Sequence, residues 1–139
     1  MYEYKFKLDR VVDGDTIDVV IDLGFSILHK CRVRLFGIDT PESRTRDLDE
    51  KARGKLAKDF LSYCLASSDN HVIKTSVDGK GKFGRVLGEI YCDGKNINLL
   101  MIDKHHAVAY KGQSKDEIAS QHLANRQILI DKEIYIPID

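Results

Sequence analysis

Long apolar runs, a net charge and a cysteine framework are all missing from this sequence. No run approaches the roughly 18 apolar residues of a membrane-spanning helix, so no membrane partner is expected. The first ten residues, MYEYKFKLDR, lack the uninterrupted apolar core of a secretory signal. Cys31, Cys64 and Cys92 are odd in number and widely spaced, which argues against disulfides or a zinc knuckle. We therefore expect core thiols and an intracellular protein, with secretion left open if a signal was removed.

The absence of net charge hides an uneven distribution. The 22 basic residues balance the 22 acidic ones, so the total does not indicate a nucleic-acid-binding protein. From Lys30 to Lys58, however, nine Lys/Arg face five Asp/Glu. From Asp9 to Asp22, five Asp face one Arg. The chain therefore has a basic segment and an acidic one, which by default are solvated faces of mixed charge.

The whole chain, residues 1–139, is predicted to form one domain. Its length is sufficient for a hydrophobic core without disulfides, and no linker or repeat divides it. Five short strands with inserted and appended helices are typical of an α+β protein built on a small Greek-key barrel. Strands are predicted at residues 2–12, 16–23, 29–38, 71–77 and 85–92, and helices at 50–66, from Asn96 or Asn98 to His105, and from Ser114 to Asp131.

The first predicted helix carries four apolar residues at helical spacing: Ala52, Leu56, Phe60 and Tyr63. This spacing places them on one face, and we expect Phe60 and Tyr63 to lie in the core.

Two adjacent histidines, His105 and His106, invite a metal-site interpretation. Neighbouring side chains diverge on a helix, and no third ligand stands at zinc spacing. A role at the end of the preceding helix is therefore favoured.

The segment VVDGDTI contains the first group of candidate functional residues. Asp13 and Gly14 between alternating apolar runs predict a hairpin turn. Asp15 and Thr16 add oxygens beyond those that a turn requires. The spacing is not that of an EF-hand, so a plain turn and a cation ligand both stay open.

The segment RLFGIDTPE contains the second group. Thr40 precedes a proline and is biased towards extended backbone, so Pro41 is expected to end the strand. Asp39 and Glu42 are either a polar strand end or, with Asp15, carboxylates facing a cleft that holds a hard cation. Arg34 would then bind phosphate beside that cation.

The segment KGKFGRV, residues 80–86, is a Gly-rich turn followed by a strand that starts near Arg85. It is either an exposed hairpin or a means of bringing Arg85 to the same cleft. Two arginines, several carboxylates and one cation suit phosphodiester hydrolysis. The cation polarises a phosphoryl oxygen, a carboxylate activates water, and the guanidiniums neutralise developing charge. Arginine suits this role because its planar fork meets two phosphate oxygens at once.

Together the three segments resemble the staphylococcal (thermo)nuclease family. The family's I-D-G-D-T is matched by Val12 to Thr16, its R-x-x-x-x-D-T-P-E by Arg34 to Glu42, and its K-[YF]-G-R by Lys82 to Arg85. The resemblance covers roughly residues 5–130. Each motif alone is weak, whereas three in the right order and separation are specific.

The resemblance implies a five-stranded OB-fold barrel with three α-helices. It also implies a Ca²⁺-dependent, sugar-nonspecific endonuclease with one Ca²⁺ ion. Such an enzyme cuts single-stranded or locally opened DNA and RNA to 3′-phosphate and 5′-hydroxyl ends. The implied residues are Asp15, Asp39 and the Thr40 carbonyl for the metal, Arg34, Glu42 and Arg85 for catalysis, Lys82, Phe83 and Tyr110 for substrate, and Asp13 beside the metal.

Some positions depart from the family pattern. Phe83 replaces a tyrosine found in some relatives, and Tyr110 stands alone where the family packs nucleotides with more than one tyrosine. Weaker base stacking is expected, since an aromatic platform supplies about 1–3 kcal/mol per base. The family's C-terminal tryptophan is missing, and Ile134 or Tyr135 is expected to take its packing place.

Two other functions stay open. A non-catalytic OB-fold nucleic-acid-binding module would not need the full set of carboxylates and arginines. A calcium-binding protein without nucleic-acid activity would not explain the two arginines. The nuclease interpretation carries the further expectations of a monomer and of a phage or plasmid origin.

Overall fold

The computed structural model of the chain describes residues 2–77 and 85–137. The predicted elements are present in the predicted order, with three two-residue strands in addition. In chain order the elements are β1 (Tyr2–Asp13), β2 (Thr16–Asp22), β3 (Leu28–Leu35), β4 (Ile38–Asp39), α1 (Leu48–Ala66), β5 (His71–Val77), β6 (Arg85–Cys92), β7 (Lys95–Asn96), α2 (Ile97–Asp103), β8 (Val108–Ala109) and α3 (Lys115–Asp131).

The five long strands form a closed barrel. Their order is β3-β2-β1-β5-β6, with antiparallel neighbours throughout. The parallel pairing of β3 with β6 closes the sheet, with Val33 opposite Val86. Closure removes the exposed strand edges. The α+β class and the five-stranded OB-type barrel with three helices are confirmed.

Alternation along the strands decides which residues form the barrel interior. Ile17, Val19 and Ile21 of β2 are at most 2% exposed, and Val33 and Leu35 of β3 are also buried. Successive side chains of a strand point to opposite faces. The residue between the last two, Arg34, is therefore directed out of the core.

The predicted strand at 29–38 is interrupted. The chain turns at Phe36 and Gly37 and resumes as β4, which pairs with β8 and not with the barrel. The buried Asn98 of α2 holds this turn against β6. Its Nδ2 donates to the carbonyls of Phe36 (2.9 Å) and Gly88 (3.0 Å), and its Oδ1 accepts from the Ile90 amide (3.0 Å). The side chain thus satisfies three buried backbone groups at the closing seam.

The helices begin at side-chain caps. Asp47 accepts from the amides of Asp49 and Glu50 at 3.1 Å each, and Ser114 accepts from the Glu117 amide at 3.2 Å. Asn96 caps α2 through the Leu99 amide, which decides between the two caps predicted for that helix.

The prediction of which residues of α1 face the core is wrong. Tyr63 is 68% exposed and Phe60 only partly buried. The side that faces the barrel is formed by Arg53, Gly54, Ala57, Leu61, Cys64 and Leu65. The small residues Gly54 and Ala57 lie towards the N-terminal end of this face. They are small because α1 lies close to the turn between β1 and β2 and to the backbone of Glu42 at that end. Hydropathy spacing does not detect a contact that requires small size.

The C-terminal segment is fixed to the start of α1. The Asp49 carboxylate accepts from Arg53 Nε (3.2 Å), from Arg126 Nε (2.9 Å) and from the Tyr135 hydroxyl. These donors hold the pKa of Asp49 below its usual value although burial opposes them. Tyr135 is buried whereas Ile134 is exposed. Of the two residues considered for the C-terminal packing position, Tyr135 is therefore the one in the core.

The three cysteines are free thiols. Cys64 and Cys92 are buried, whereas Cys31 is only partly buried and packs against the core. In the described part of the chain, no helix is both long and apolar enough to span a bilayer.

His105 and His106 follow α2, where their backbone amides donate to the carbonyls of Ile102 and Met101 at 3.0 Å each. The His106 ring is buried and stacks on Phe60 at 4.8 Å between centroids. Burial, assisted by the neighbouring His105, lowers the pKa of His106 to about 4. The fold therefore holds His106 as a neutral imidazole.

We expect His106 to make the protein less stable in mild acid. Between pH 6.5 and about 4, the unfolded chain takes up a proton that folded His106 excludes. The free energy of unfolding therefore falls as the pH falls, by up to about 3 kcal/mol from this group. Urea unfolding from pH 4.5 to 7.5 should show a shallower pH dependence for His106→Leu than for the wild type. Parallel curves for His106→Leu and the wild type would contradict the assignment.

Candidate active site

The turn between β1 and β2 is enclosed on two sides. A Cβ added to Gly14 would lie 2.8 Å from the Ala57 Cβ and 3.0 Å from the Thr40 Oγ1. No ordinary side chain fits at such distances, so the glycine allows α1 and the segment after β4 to close on the turn. This contact brings the first predicted segment against the second.

Asp15 is the buried carboxylate of the site, at 9% exposure. Its Oδ1 accepts from the Thr16 hydroxyl (3.0 Å), and its Oδ2 accepts from the Thr40 amide (3.2 Å). Arg34 Nη1 lies 3.1 Å from the same Oδ2. Burial raises the pKa of Asp15, and the guanidinium of Arg34 is the main opposing influence.

Arg34 lies between two carboxylates. While its Nη1 contacts Asp15, its Nη2 lies 3.6 Å from Asp39 Oδ1. The other oxygen of Asp39, Oδ2, lies 2.8 Å from His122 Nε2. The structure thus places the predicted Asp15 and Asp39 beside the guanidinium of Arg34. His122, which was not predicted, joins this cluster through Asp39.

Glu42 lies on the same segment as Asp39 but is exposed. Its backbone amide donates to Glu50 Oε2 at 3.1 Å, which ties it to the first turn of α1. Although Glu42 is exposed, the protein around its carboxyl removes part of the hydration of the charged form and raises its pKa. The negative charges of Asp13, Asp15, Asp39 and Glu50 raise the pKa further. A raised pKa suits a carboxylate that accepts a proton near neutral pH.

Asp13, predicted to lie beside the metal, acts on the site through charge. Its Oδ1 accepts from the Gly14 amide at 3.1 Å, and its charge raises the pKa of both Asp15 and Glu42.

The backbone of Arg85 lies on the strand next to Arg34. Arg85 begins β6 and is paired with Arg32 of β3, while Arg34 is paired with Leu87. The two predicted phosphate ligands therefore come from neighbouring strands at the closing seam. The Arg85 side chain, together with Lys82 and Phe83, lies outside the described residues.

Tyr110, predicted to contact substrate, is 43% exposed. Its amide donates to the Gly37 carbonyl at 2.8 Å, just before β4. A partly exposed aromatic residue thus directly follows β8, the strand that pairs with the Asp39 strand.

The donor atoms of the site suit a hard cation. Asp15 and Asp39 provide carboxylate oxygens, and the buried Thr40 Oγ1 has no hydrogen-bond partner among the described residues. Ca²⁺ takes carboxylate, carbonyl and water oxygens. The described residues contain no cluster of three or more His, Cys, Asp or Glu that could hold a metal. A cation here would therefore depend on two carboxylates with backbone or water oxygens. The ligand set of Asp15, Asp39 and the Thr40 carbonyl stays a prediction.

Three residues of the site were missed in the sequence. His122 lies 83 positions from Asp39 in a helix without a motif, so no local pattern indicated their contact. Glu50 and Gly54 lie on α1, and a Cβ on Gly54 would lie 2.6 Å from the carbonyl carbon and oxygen of Glu42. A glycine inside a predicted helix is a signal of close approach that could have indicated this contact.

The chain is similar to known nucleases. The sequence profile of the family described as "Staphylococcal nuclease homologue" matches residues 32–129. A protein named "Endonuclease YhcR" from Bacillus subtilis (strain 168) is 34% identical over 114 residues, which are 78% of this chain and 9% of that protein. A protein named "Micrococcal nuclease" from Shigella flexneri is 30% identical over 129 residues, which are 86% of this chain and 66% of that protein.

An "Uncharacterized endonuclease" from Haemophilus influenzae is 32% identical over 121 residues, covering 87% of this chain and 61% of that protein. This chain therefore spans from 9% to 66% of the length of these three relatives.

We expect Gly54→Ala to destabilise the protein although alanine favours helices by about 1 kcal/mol. The new methyl group would meet the Glu42 carbonyl at 2.6 Å, so α1 or the Glu42 segment must move. The free energy of unfolding should fall by about 1–3 kcal/mol, measured by urea denaturation. Lys55→Ala, at the exposed neighbouring position, is the matched control and should change it by less than about 0.5 kcal/mol. A Gly54→Ala protein more stable than wild type would show that the contact is not restrictive.

Proposed function

The chain belongs to the staphylococcal nuclease homologue family, and from this premise we propose that it is a Ca²⁺-dependent endonuclease that hydrolyses phosphodiester bonds in DNA and RNA. The observation that carries the proposal is the contact of Arg34 with both Asp15 and Asp39, at 3.1 and 3.6 Å. A phosphate-binding group beside two hard-cation ligands is what phosphoryl chemistry needs. A protein that only bound nucleic acid would have no use for the carboxylates.

In the proposed mechanism, Asp15, Asp39 and the Thr40 carbonyl hold Ca²⁺, which when bound acts as a Lewis acid on a phosphoryl oxygen. Glu42 takes a proton from the attacking water as the new O–P bond forms. The 5′ P–O bond breaks and the leaving oxygen takes up a proton from solvent water, which leaves a 3′-phosphate on one fragment and a 5′-hydroxyl on the other.

The arginines bind the phosphate that is being cleaved. Arg34 is already oriented by its two carboxylates, so it loses little side-chain freedom when a phosphate arrives. Arg85 starts the neighbouring strand and is proposed to neutralise charge that develops on the pentacoordinate phosphorus. Both roles require a guanidinium, because two phosphate oxygens are met at once.

Substrate capture is proposed to rely on local basic charge and one aromatic platform. Nine of the residues from Lys30 to Lys58 are basic, and Tyr110 offers an exposed ring near β4. Binding through phosphate contacts should weaken steeply with salt. Stacking has no sequence preference, so single-stranded or locally opened DNA and RNA are both proposed substrates.

We also propose that the enzyme is a monomer and, from its three free thiols, that it acts inside the cell.

Cleavage of heat-denatured DNA and of RNA should require Ca²⁺ and stop in excess chelator. The labelled products should carry 3′-phosphate and 5′-hydroxyl ends. Glu42→Gln should lower the rate by about 10²–10⁴-fold, since it removes the proton acceptor. Glu133→Gln, at an exposed position after α3, is the control and should cleave like the wild type.

Two results would contradict the proposal. Undiminished cleavage in excess chelator would exclude the Ca²⁺ mechanism. Retention of nucleic acid on the protein without cleavage under any divalent cation would favour the non-catalytic binding module instead.

A further inference from the structure

His122 reaches the site from α3, outside all three sequence motifs. Its side chain is 11% exposed, and its Nε2 lies 2.8 Å from Asp39 Oδ2. Because an ionised carboxylate only accepts, the histidine nitrogen is the donor in this bond. A nearly buried histidine therefore holds one oxygen of a carboxylate that is proposed to bind the cation.

The two oxygens of Asp39 have different partners. Oδ2 faces His122, whereas Oδ1 faces Arg34 Nη2 at 3.6 Å. Asp39 belongs to β4, which is two residues long and pairs with β8. The bond from His122 limits the rotation of the carboxylate and leaves Oδ1 directed towards Arg34.

The helix that carries His122 has other attachments. Asn125 Nδ2 donates to the Ala107 carbonyl at 3.1 Å, and Arg126 Nε donates to Asp49 Oδ2 at 2.9 Å. The packing of α3 thus does not depend on His122 alone. The contact with Asp39 can therefore be removed without removing the other attachments of the helix.

We propose that His122 is a positioning residue that orients Asp39 for binding a divalent cation. The inference rests on the proposed function, because it assumes that Asp39 is a metal ligand. Hydrogen-bond donors that fix a metal-binding carboxylate raise the affinity, and their removal typically costs 10- to 100-fold. The bond from His122 would therefore raise the affinity of a site formed otherwise by the β1–β2 turn and β4.

Isothermal titration with Ca²⁺ alone tests this inference without measuring activity. His122→Ala should weaken Ca²⁺ binding by about 10- to 100-fold relative to the wild type. His122→Gln, which retains a side-chain donor, should recover part of the lost affinity and also guards against an alanine variant that fails to fold. The Ca²⁺ concentration for half-maximal cleavage should rise by the same factor.

Arg126→Gln is the matched control. It breaks a different bond of the same helix, to Asp49, and should lower the thermal unfolding temperature without changing the dissociation constant for Ca²⁺. Equal losses of affinity in His122→Ala and Arg126→Gln would show a general effect of helix docking and overturn the inference.

The remaining outcomes separate the inference from the proposed function. If the wild type binds Ca²⁺ and His122→Ala binds it equally well, the inference fails while the proposed function stands. If the wild type neither binds Ca²⁺ nor cleaves nucleic acid, both fail together.

Discussion

The contact of one guanidinium with two carboxylates is the constraint on which the site depends. Burying Asp15 disfavours its charge, and Arg34 offsets this only in part, since the pKa of Asp15 stays raised with the arginine 3.1 Å away. Further negative charges from Asp13 and Asp39 surround the same region. An added positive charge at this position would relieve the cost of burying the carboxylate, which supports the proposed cation site.

Barrel closure and a close helix contact assemble this cluster from distant segments. The parallel pairing of β3 with β6 places Arg34 and the backbone of Arg85 on neighbouring strands. Gly14 and Gly54 let α1 approach the β1–β2 turn and the backbone of Glu42 at distances that no larger residue would allow. The buried face of α1 therefore carries small residues towards its N-terminus and larger apolar residues towards its C-terminus. The stability of the helix and the geometry of the site depend on the same contact.

The barrel was largely predictable from the sequence because alternation and turn signals act locally. Asp15, Arg34 and Asp39 were found because they lie in short motifs, and the structure brings them together. His122 was not found, since its 83-residue separation from Asp39 is closed only by tertiary packing. The core face of α1 was assigned wrongly because Tyr63 is apolar by hydropathy but exposed, whereas Gly54 carries no hydropathy signal. Contacts that depend on small size or on distant packing leave no periodic trace.

The last helix links folding to the site. Through Arg126, α3 is bonded to Asp49, which also receives Tyr135, and through His122 it is bonded to Asp39. If a cation binds more tightly when His122 orients Asp39, then by linkage the bound cation stabilises the contact of His122 with Asp39. The two gains in free energy are equal. The C-terminal segment therefore does more than complete the core. Under the proposed role of His122, loss of its bond to Asp39 weakens cation binding, whereas loss of the bond from Arg126 to Asp49 weakens only the attachment of α3.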